Sequence, residues 1–409
     1  MRYVIIGNGA AAISAAEKLR QISDSCEVTV ISAEDSPVYT KFMLPDYIGG
    51  KIAREKLVLR DVNYYNQNRI KLLLGENVES IECTQKIIKL VSGIEILYDK
   101  LLVAVGGSPV VPNIEGLKET KYFTLNSIKD ADNIRTNAVK GEKAVIIGAG
   151  LTGIEIAFAL KRLGMIVALV EKGTRLLPQQ LDATAAEMLV EMIREEGIEL
   201  LLGRDIQRVV GNGGLNIELA NGEKIGFNML IVSIGTRPNL DIVKETGVKT
   251  NRGILVNCFM ETSVNDIYAA GDVAELQNSH NSGTVSSYIW PNAIAQGKCA
   301  ASNMANQTQE FASDAGFSNA VRLRDLPFVS MGMINPVEEG YESLVYSEKV
   351  SHTYRKVVLK DNVIKGMILL GDTSSANILG DFIKKGRNIS DIRSIILEND
   401  FAARFKAMS

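Results

Sequence analysis

YVIIGNGAAA at residues 3–12 and AVIIGAGLTG at residues 144–153 are two versions of one phrase. Each opens with an apolar run rich in β-branched residues, passes through a glycine-spaced turn and enters a stretch of small residues, which reads as strand, turn and helix. This layout cradles a dinucleotide pyrophosphate. The first glycine permits the tight turn, the second lets the backbone approach phosphate, and a small third residue lets the helix pack closely on the sheet. Two such phrases in one chain imply two dinucleotides.

In the first phrase, residues 3–6 are the expected strand, Gly7, Gly9 and Ala12 fill the GxGxxG/A positions, and a helix runs to about Leu19 or Ile22. Residues 28–31 supply the next strand, and Glu34 follows where an acid accepts ribose hydroxyls. In the second, residues 144–147 are the strand, Gly148, Gly150 and Gly153 lie in the turn, the helix spans 151–163, and residues 167–170 lead to Glu171. A carboxylate at that point hydrogen-bonds a free 2′-hydroxyl and repels a 2′-phosphate, so it favours NAD over NADP. Lys172 and Arg175, close by in sequence, would soften the preference.

Bulk properties narrow the alternatives. A chain of 409 residues makes roughly two to four domains. A net charge of −3 provides no strong field for nucleic acid or an anionic membrane. Apolar residues make up 46% of the chain, but none of their runs reaches the length of a membrane-spanning helix. The apolar N-terminus is not read as a secretion signal, because Asn8 and the glycines interrupt it and the phrase recurs inside the chain. Cys26, Cys83, Cys258 and Cys299 form no CxxC or CxxxxC pair, which argues against a redox disulfide or a metal clasp and fits buried small hydrophobes in a reducing cytoplasm.

Further along stand LLVAVGGSP at 101–109, IVSIGTRPN at 231–239 and IYAAGDVAE at 267–275. With the two cradles, in this order and spacing, the chain over most of residues 1–310 resembles the FAD-dependent pyridine-nucleotide oxidoreductases of the glutathione-reductase structural family. The resemblance implies an α/β fold with two Rossmann-like, three-layer dinucleotide-binding domains, the NAD domain inserted in the FAD domain, plus a small α+β C-terminal domain. The boundaries expected are 1–109 with 238–312 for FAD, 110–237 for NAD and 313–409 for the last domain. Carried across, Gly7, Gly9, Ala12, Glu34, Gly271 and Asp272 bind FAD, while Gly148, Gly150, Gly153 and Glu171 bind NAD(H). Gly106 and Gly235, in the two strand-to-turn stretches, join them as cofactor contacts, and Val105 stands where many relatives have threonine. Hydride transfer asks for nicotinamide C4 and flavin N5 aligned within about 3–3.5 Å, and a flavin can then pass electrons on singly or in pairs.

YTKFMLPDYIGG at 39–50 distinguishes members of the family. Disulfide reductases and their single-cysteine relatives carry a redox cysteine hereabouts; Phe42 takes its place, so thiol chemistry is not expected. The stretch is similar to the YxRxxL segment of NADH:rubredoxin reductases, oxygenase-type ferredoxin reductases and the N-terminal part of assimilatory nitrite reductases. Lys41 replaces the arginine beside the expected flavin edge, and Asp46 stands where some relatives have lysine. The alternative for Lys41 is a solvated loop charge. Glu155 matches a family glutamate beside the nicotinamide, its alternative being a carboxylate that favours its helix N-terminus. Residues 287–305 read as a small-residue helix entered through Trp290 and Pro291. The resemblance brings its N-terminus to the flavin, with Trp290 as a contact or simply a core aromatic. His280, just upstream, reads as surface. From 313 onward, KVVLK (356–360), VIKGMILLGDT (363–373), a helix near 377–385 and further helical sequence resemble the small C-terminal domain of the rubredoxin and nitrite reductases.

The resulting expectation is a soluble, cytoplasmic flavoprotein that carries electrons from NADH through FAD to a small acidic redox protein, rubredoxin, ferredoxin or another iron–sulfur carrier, or in the reverse direction. Nucleic acid and membrane are not expected partners, and the resemblance allows a homodimer. Two rivals are an NADH oxidase that reduces oxygen directly and a nucleotide-responsive binding or assembly subunit. Lys41 and Trp290 mark the expected acceptor face; Lys384, Lys385 and Arg387 join it or are a solvated helix end.

Overall fold

Strand Arg2–Ile6 consists almost wholly of buried β-branched and aromatic side chains, the composition of a strand covered on both faces. It takes the middle of a five-stranded parallel sheet in the order Ile267–Ala269, Lys100–Val103, Arg2–Ile6, Glu27–Ser32, Ile70–Leu74. The computed structural model describes residues 1–211, 214–277, 284–285, 288–311 and 318–408; His280 and the 312/313 boundary lie outside them. The chain forms two compact units, one of residues 1–47, 52–109 and 236–313, the other of 48–51, 110–235 and 314–409.

In the first unit, helices Ala10–Ile22 and Trp290–Met304 pack against each other through small residues. A Cβ on Gly297 would come within 2.1 Å of the Ala11 carbonyl oxygen, so only glycine fits there. Ser14 Oγ, in the same seam, donates to the carbonyls of Ala10 at 2.8 Å and Ile294 at 3.1 Å. An antiparallel meander of Val78–Glu82, Ile87–Leu90 and Glu95–Leu97 joins the same core through Ile81, Ile88 and Leu90. Because all five central strands run parallel, Gly7, Glu34, Val105–Gly106 and Gly271 emerge together at their carboxyl ends, the edge at which such sheets hold ligands.

The second unit contains a four-stranded parallel sheet in the order Glu199–Leu202, Ile166–Glu171, Lys143–Ile147, Met229–Val232, with helix Leu151–Arg162 following the second cradle. Residues 318–370 form a separate five-stranded antiparallel sheet, ordered Ser318–Leu323, Leu326–Gly332, Val363–Leu370, Thr353–Lys360, Glu342–Glu348. Helix Ala376–Lys385 contributes Leu379 and Phe382 to its core. The helical expectation beyond residue 385 holds only for Phe401–Met408. Ile389, Ile392 and Ile396 do enter the core at a helix-like spacing, but residues 389–398 proceed by isolated turns. There the buried Arg355 guanidinium donates to the Leu397 carbonyl and to Asn399 Oδ1, each at 2.8 Å, and so takes a backbone acceptor, that of Leu397, which a helix would use. Among the described residues no helix is long and apolar enough to cross a membrane.

Candidate functional site

The two cradles are built alike. Gly7 N–H donates to the Ile31 carbonyl at 2.8 Å, and Gly148 N–H to the Val170 carbonyl at 2.8 Å, so each turn is tied to the end of the neighbouring strand. Both glycines have positive φ, +109° and +100°, and a Cβ would lie 2.1 Å from the Ala104 oxygen and 2.3 Å from the Ser233 oxygen respectively. Glycine is therefore required by the backbone. Gly9 and Gly150 differ: each is the N-cap of its helix in an ordinary extended conformation, and a Cβ there would meet nothing within 4 Å. That open space lies where helix N–H groups collect, the place for an anion. The third positions diverge. A Cβ on Gly153 would strike the Gly148 oxygen at 2.1 Å, whereas Ala12 keeps its methyl fully buried.

Around the first cradle the structure gathers Glu34, Lys41, Gly271 and Asp272. Glu34 receives the Tyr39 hydroxyl at 2.6 Å and stands 3.5 Å from Lys41 Nζ, so Lys41 is paired with the expected ribose acid. Burial pushes the Asp272 carboxyl up, against the opposing pull of Lys41. Gly271, at φ +79°, donates its N–H to Gln296 Oε1 at 2.8 Å. Gln296 is 3% exposed and was not singled out by the sequence; a polar residue on the buried side of a small-residue helix was its only signal. Asn8, in the sequence, is a break in an apolar run. Its Oδ1 accepts from the buried Tyr65 hydroxyl at 2.7 Å, and its buried Nδ2 has no partner among the described residues. An orphaned donor between two cradle glycines, together with the open space at Gly9, fits a bound pyrophosphate. Gly106, at φ +63°, also faces open space, and its turn is fastened by Asn239, whose Nδ2 donates to the Val105 carbonyl at 3.0 Å.

Trp290 begins its helix with Pro291 following, and its ring meets Phe42 edge-on at 5.4 Å and 79°. Phe42 is 60% exposed.

At the second cradle Glu171 does more than wait for a ribose. Its Oε2 accepts Ala149 N–H at 2.8 Å and its Oε1 accepts Gly173 N–H at 2.7 Å, joining the glycine turn to its own strand end. Lys172 turns to Asp205 at 2.8 Å, and Arg175 donates to the Pro178 carbonyl at 3.4 Å. Both cations thus have partners other than a phosphate. Glu155 is partly buried in the second turn of helix Leu151–Arg162, and Gly235, at φ +112°, faces open space.

The four cysteines are free, Cys26 and Cys299 being buried. Burial pushes the Cys299 thiol up to about 12 and raises Cys83 as well, the direction opposite to that of an activated thiolate. Among the described residues no cluster of His, Cys, Asp or Glu could hold a metal ion. In the C-terminal cluster, Lys385 pairs with Asp381 at 3.0 Å, and Arg387 pairs with Asp391 while lying over the Phe382 and Phe405 rings. Two of the three cations there have structural partners.

Two glycine cradles of one design, each at the carboxyl edge of a parallel sheet, define a two-dinucleotide oxidoreductase class. The chain belongs to the pyridine nucleotide-disulphide oxidoreductase family, whose model matches residues 1–297, and residues 318–387 match the rubredoxin NAD+ reductase C-terminal domain. Its cofactors are FAD and NAD(H). It is similar to the assimilatory nitrate reductase electron transfer subunit of Bacillus subtilis (strain 168), at 31% identity over 97% of this chain and 51% of that protein. A rubredoxin-NAD(+) reductase of Acinetobacter baylyi is 30% identical over 91% of this chain and 94% of its own length. The crystal structure of NADH:rubredoxin oxidoreductase from Clostridium acetobutylicum superposes with a TM-score of 0.77 at 25% identity, covering 99% of both chains. The chain spans about half the length of the Bacillus relative.

Proposed function

We propose that the protein takes electrons from NADH and passes them, through FAD, to a small acidic carrier of the rubredoxin or iron–sulfur kind, in a reducing cytoplasm. In this reading the cradle of Gly7, Gly9 and Ala12 holds FAD, with Glu34 on the adenosine ribose and Asp272 on the ribityl chain. The cradle of Gly148, Gly150 and Gly153 holds NADH, with Glu171 as ribose acceptor and Glu155 near the nicotinamide. The domains follow as 1–109 with 238–312 for FAD, 110–237 for NAD(H) and 313–409 for the C-terminal domain. Bound FAD supplies the change from a hydride pair to single electrons. The residues orient it: Gln296 fixes the Gly271 turn that presents Asp272, Tyr39 and Lys41 hold the Glu34 carboxylate, and Lys41 offsets negative charge at the cradle.

The observation that carries the acceptor reading is Phe42, exposed and edge-on to Trp290 at the position where thiol-dependent relatives have cysteine. With no thiol there to take the electrons, they leave to an external acceptor, and the match of residues 318–387 to a rubredoxin reductase domain favours a protein acceptor over oxygen.

The test is to reduce the purified protein with NADH in a stopped-flow instrument and compare reduction of rubredoxin and of a [2Fe–2S] ferredoxin with oxygen uptake. Carrier reduction should be the faster, and it should slow with added salt because charge attraction fades on the scale of the Debye length. Faster oxygen uptake would make the chain an NADH oxidase. Absence of flavin bleaching by NADH would leave a nucleotide-binding subunit.

A further inference from the structure

The loop that follows Glu171 is pinned at both ends by a carboxylate. At its front, Glu171 holds Ala149 N–H and Gly173 N–H. At its rear, Asp182 accepts Ala185 N–H at 3.0 Å, capping helix Ala183–Glu195, and its other oxygen receives the Tyr354 hydroxyl at 2.5 Å and lies 3.1 Å from Lys356 Nζ. Tyr354 and Lys356 are two residues apart on strand Thr353–Lys360, so they project from one face of the C-terminal sheet. Asn335 adds a hydrogen bond to the Leu181 carbonyl at 3.1 Å. Between the two anchors lie Lys172 and Arg175, the cations nearest in sequence to the ribose acid.

Tyr354 is 1% exposed and Lys356 8%. A buried ion pair stabilises little better than apolar residues of the same shape; what it does impose is position, since either charge alone would be left unpaired. Here the position imposed is that of Asp182, at the end of the loop that begins at the nucleotide acid.

We propose that Tyr354 and Lys356 of the C-terminal sheet, acting through Asp182, are positioning residues for the adenosine-recognition loop 172–181, and that they set how tightly the second cradle holds its nucleotide. This rests on the reading that the second cradle takes NADH. The C-terminal sheet then belongs to the donor side of the enzyme, whatever it does for the acceptor.

The test uses the full FAD-loaded chain and ADP-ribose, the dinucleotide without its nicotinamide, with Kd measured by calorimetry. Tyr354→Phe keeps the ring and removes the hydroxyl; Lys356→Met keeps the stem and removes the charge. Each should weaken ADP-ribose roughly 2- to 30-fold, the range of coupling carried by residues that touch neither ligand. The KM for NADH should rise in step, with kcat at saturation within about twofold of wild type, as expected when uniform binding alone is lost. Lys356→Arg, which restores the charge, should recover most of the affinity. Unchanged affinity for ADP-ribose in both variants would overturn the inference, whether or not thermal stability falls, and so would a loss of kcat at unchanged KM. Should Lys356→Met not fold, Tyr354→Phe decides alone. If the wild-type protein itself neither binds ADP-ribose nor is reduced by NADH, the assignment of the second cradle fails instead.

Discussion

Gly148 and Gly150 belong to one turn, yet the structure gives them separable duties. Gly148→Ala places a methyl 2.3 Å from the Ser233 carbonyl oxygen at φ +100°. The backbone strain costs about 1–3 kcal/mol, and the forced overlap adds about 1–3 kcal/mol. The second unit should therefore melt at least about 4 °C earlier, taking 2 kcal/mol as the floor and about 2 °C per kcal/mol for a body of this size. Gly150→Ala meets no atom within 4 Å and has φ −73°, so its folding cost is confined to the weaker N-cap, about 0.5–1 kcal/mol. On the proposed assignment its methyl would instead enter the space left for the phosphate. Losing one charge-assisted hydrogen bond there is worth about 1.5–3 kcal/mol, or roughly 10- to 150-fold in nucleotide affinity. The assay is a thermal melt and an ADP-ribose titration on each variant, with FAD content read from visible absorbance. The reasoning is refuted if Gly150→Ala binds like wild type, or if Gly148→Ala melts like wild type. Gly7→Ala and Gly9→Ala should divide in the same way, with FAD retention in place of ADP-ribose affinity.

The other expectations are briefer. Wild-type kcat/KM should favour NADH over NADPH about tenfold or more if Glu171 faces the ribose as proposed, since a carboxylate there repels a 2′-phosphate; because the same carboxylate also holds two backbone N–H groups, Glu171→Arg should lose more with NADH than it gains with NADPH, and a gain with NADPH as large as the loss with NADH would contradict those hydrogen bonds. Replacing all four cysteines by alanine or serine should leave NADH-driven flavin bleaching intact, and its loss with FAD still bound would restore a thiol to the chemistry. Burial raises the Asp182 carboxyl, yet Tyr354, Ala185 N–H and Lys356 together hold it below its ordinary value. A depressed carboxyl contributes its stability above the unfolded pKa of about 3.9 and loses it as pH falls through the folded value. Asp182→Asn should cost about 1.5–3 kcal/mol at pH 7, and the gap in Tm should narrow below about pH 4; a gap that widens in acid would reverse the sign of the argument.

Both cradles could be read in the sequence because their requirements are local. A tight turn, a close approach to phosphate and a helix start fall on consecutive residues, and glycine is the residue type that permits the first of them. The neighbouring strands, and the acids Glu34 and Glu171 after them, follow by the same short-range logic. The stretch 389–398 carries Ile389, Ile392 and Ile396 at a helix-like period and yet folds as isolated turns; the guanidinium that takes the Leu397 carbonyl comes from Arg355, on a strand far away in sequence.

Tertiary structure decided what fills the space around the turns. The Gly271–Gln296 bond joins residues 25 apart, Tyr65 reaches Asn8 across 57, and Tyr354 reaches Asp182 across 172. A glutamine in a small-residue helix, or a tyrosine and a lysine on an antiparallel strand, has no sequence signal for a partner at such separations. Periodicity reports which face of an element is buried; which polar group waits on the other side is set by sheet order and helix packing, where burying an unpaired donor or charge costs more than any local propensity can offset.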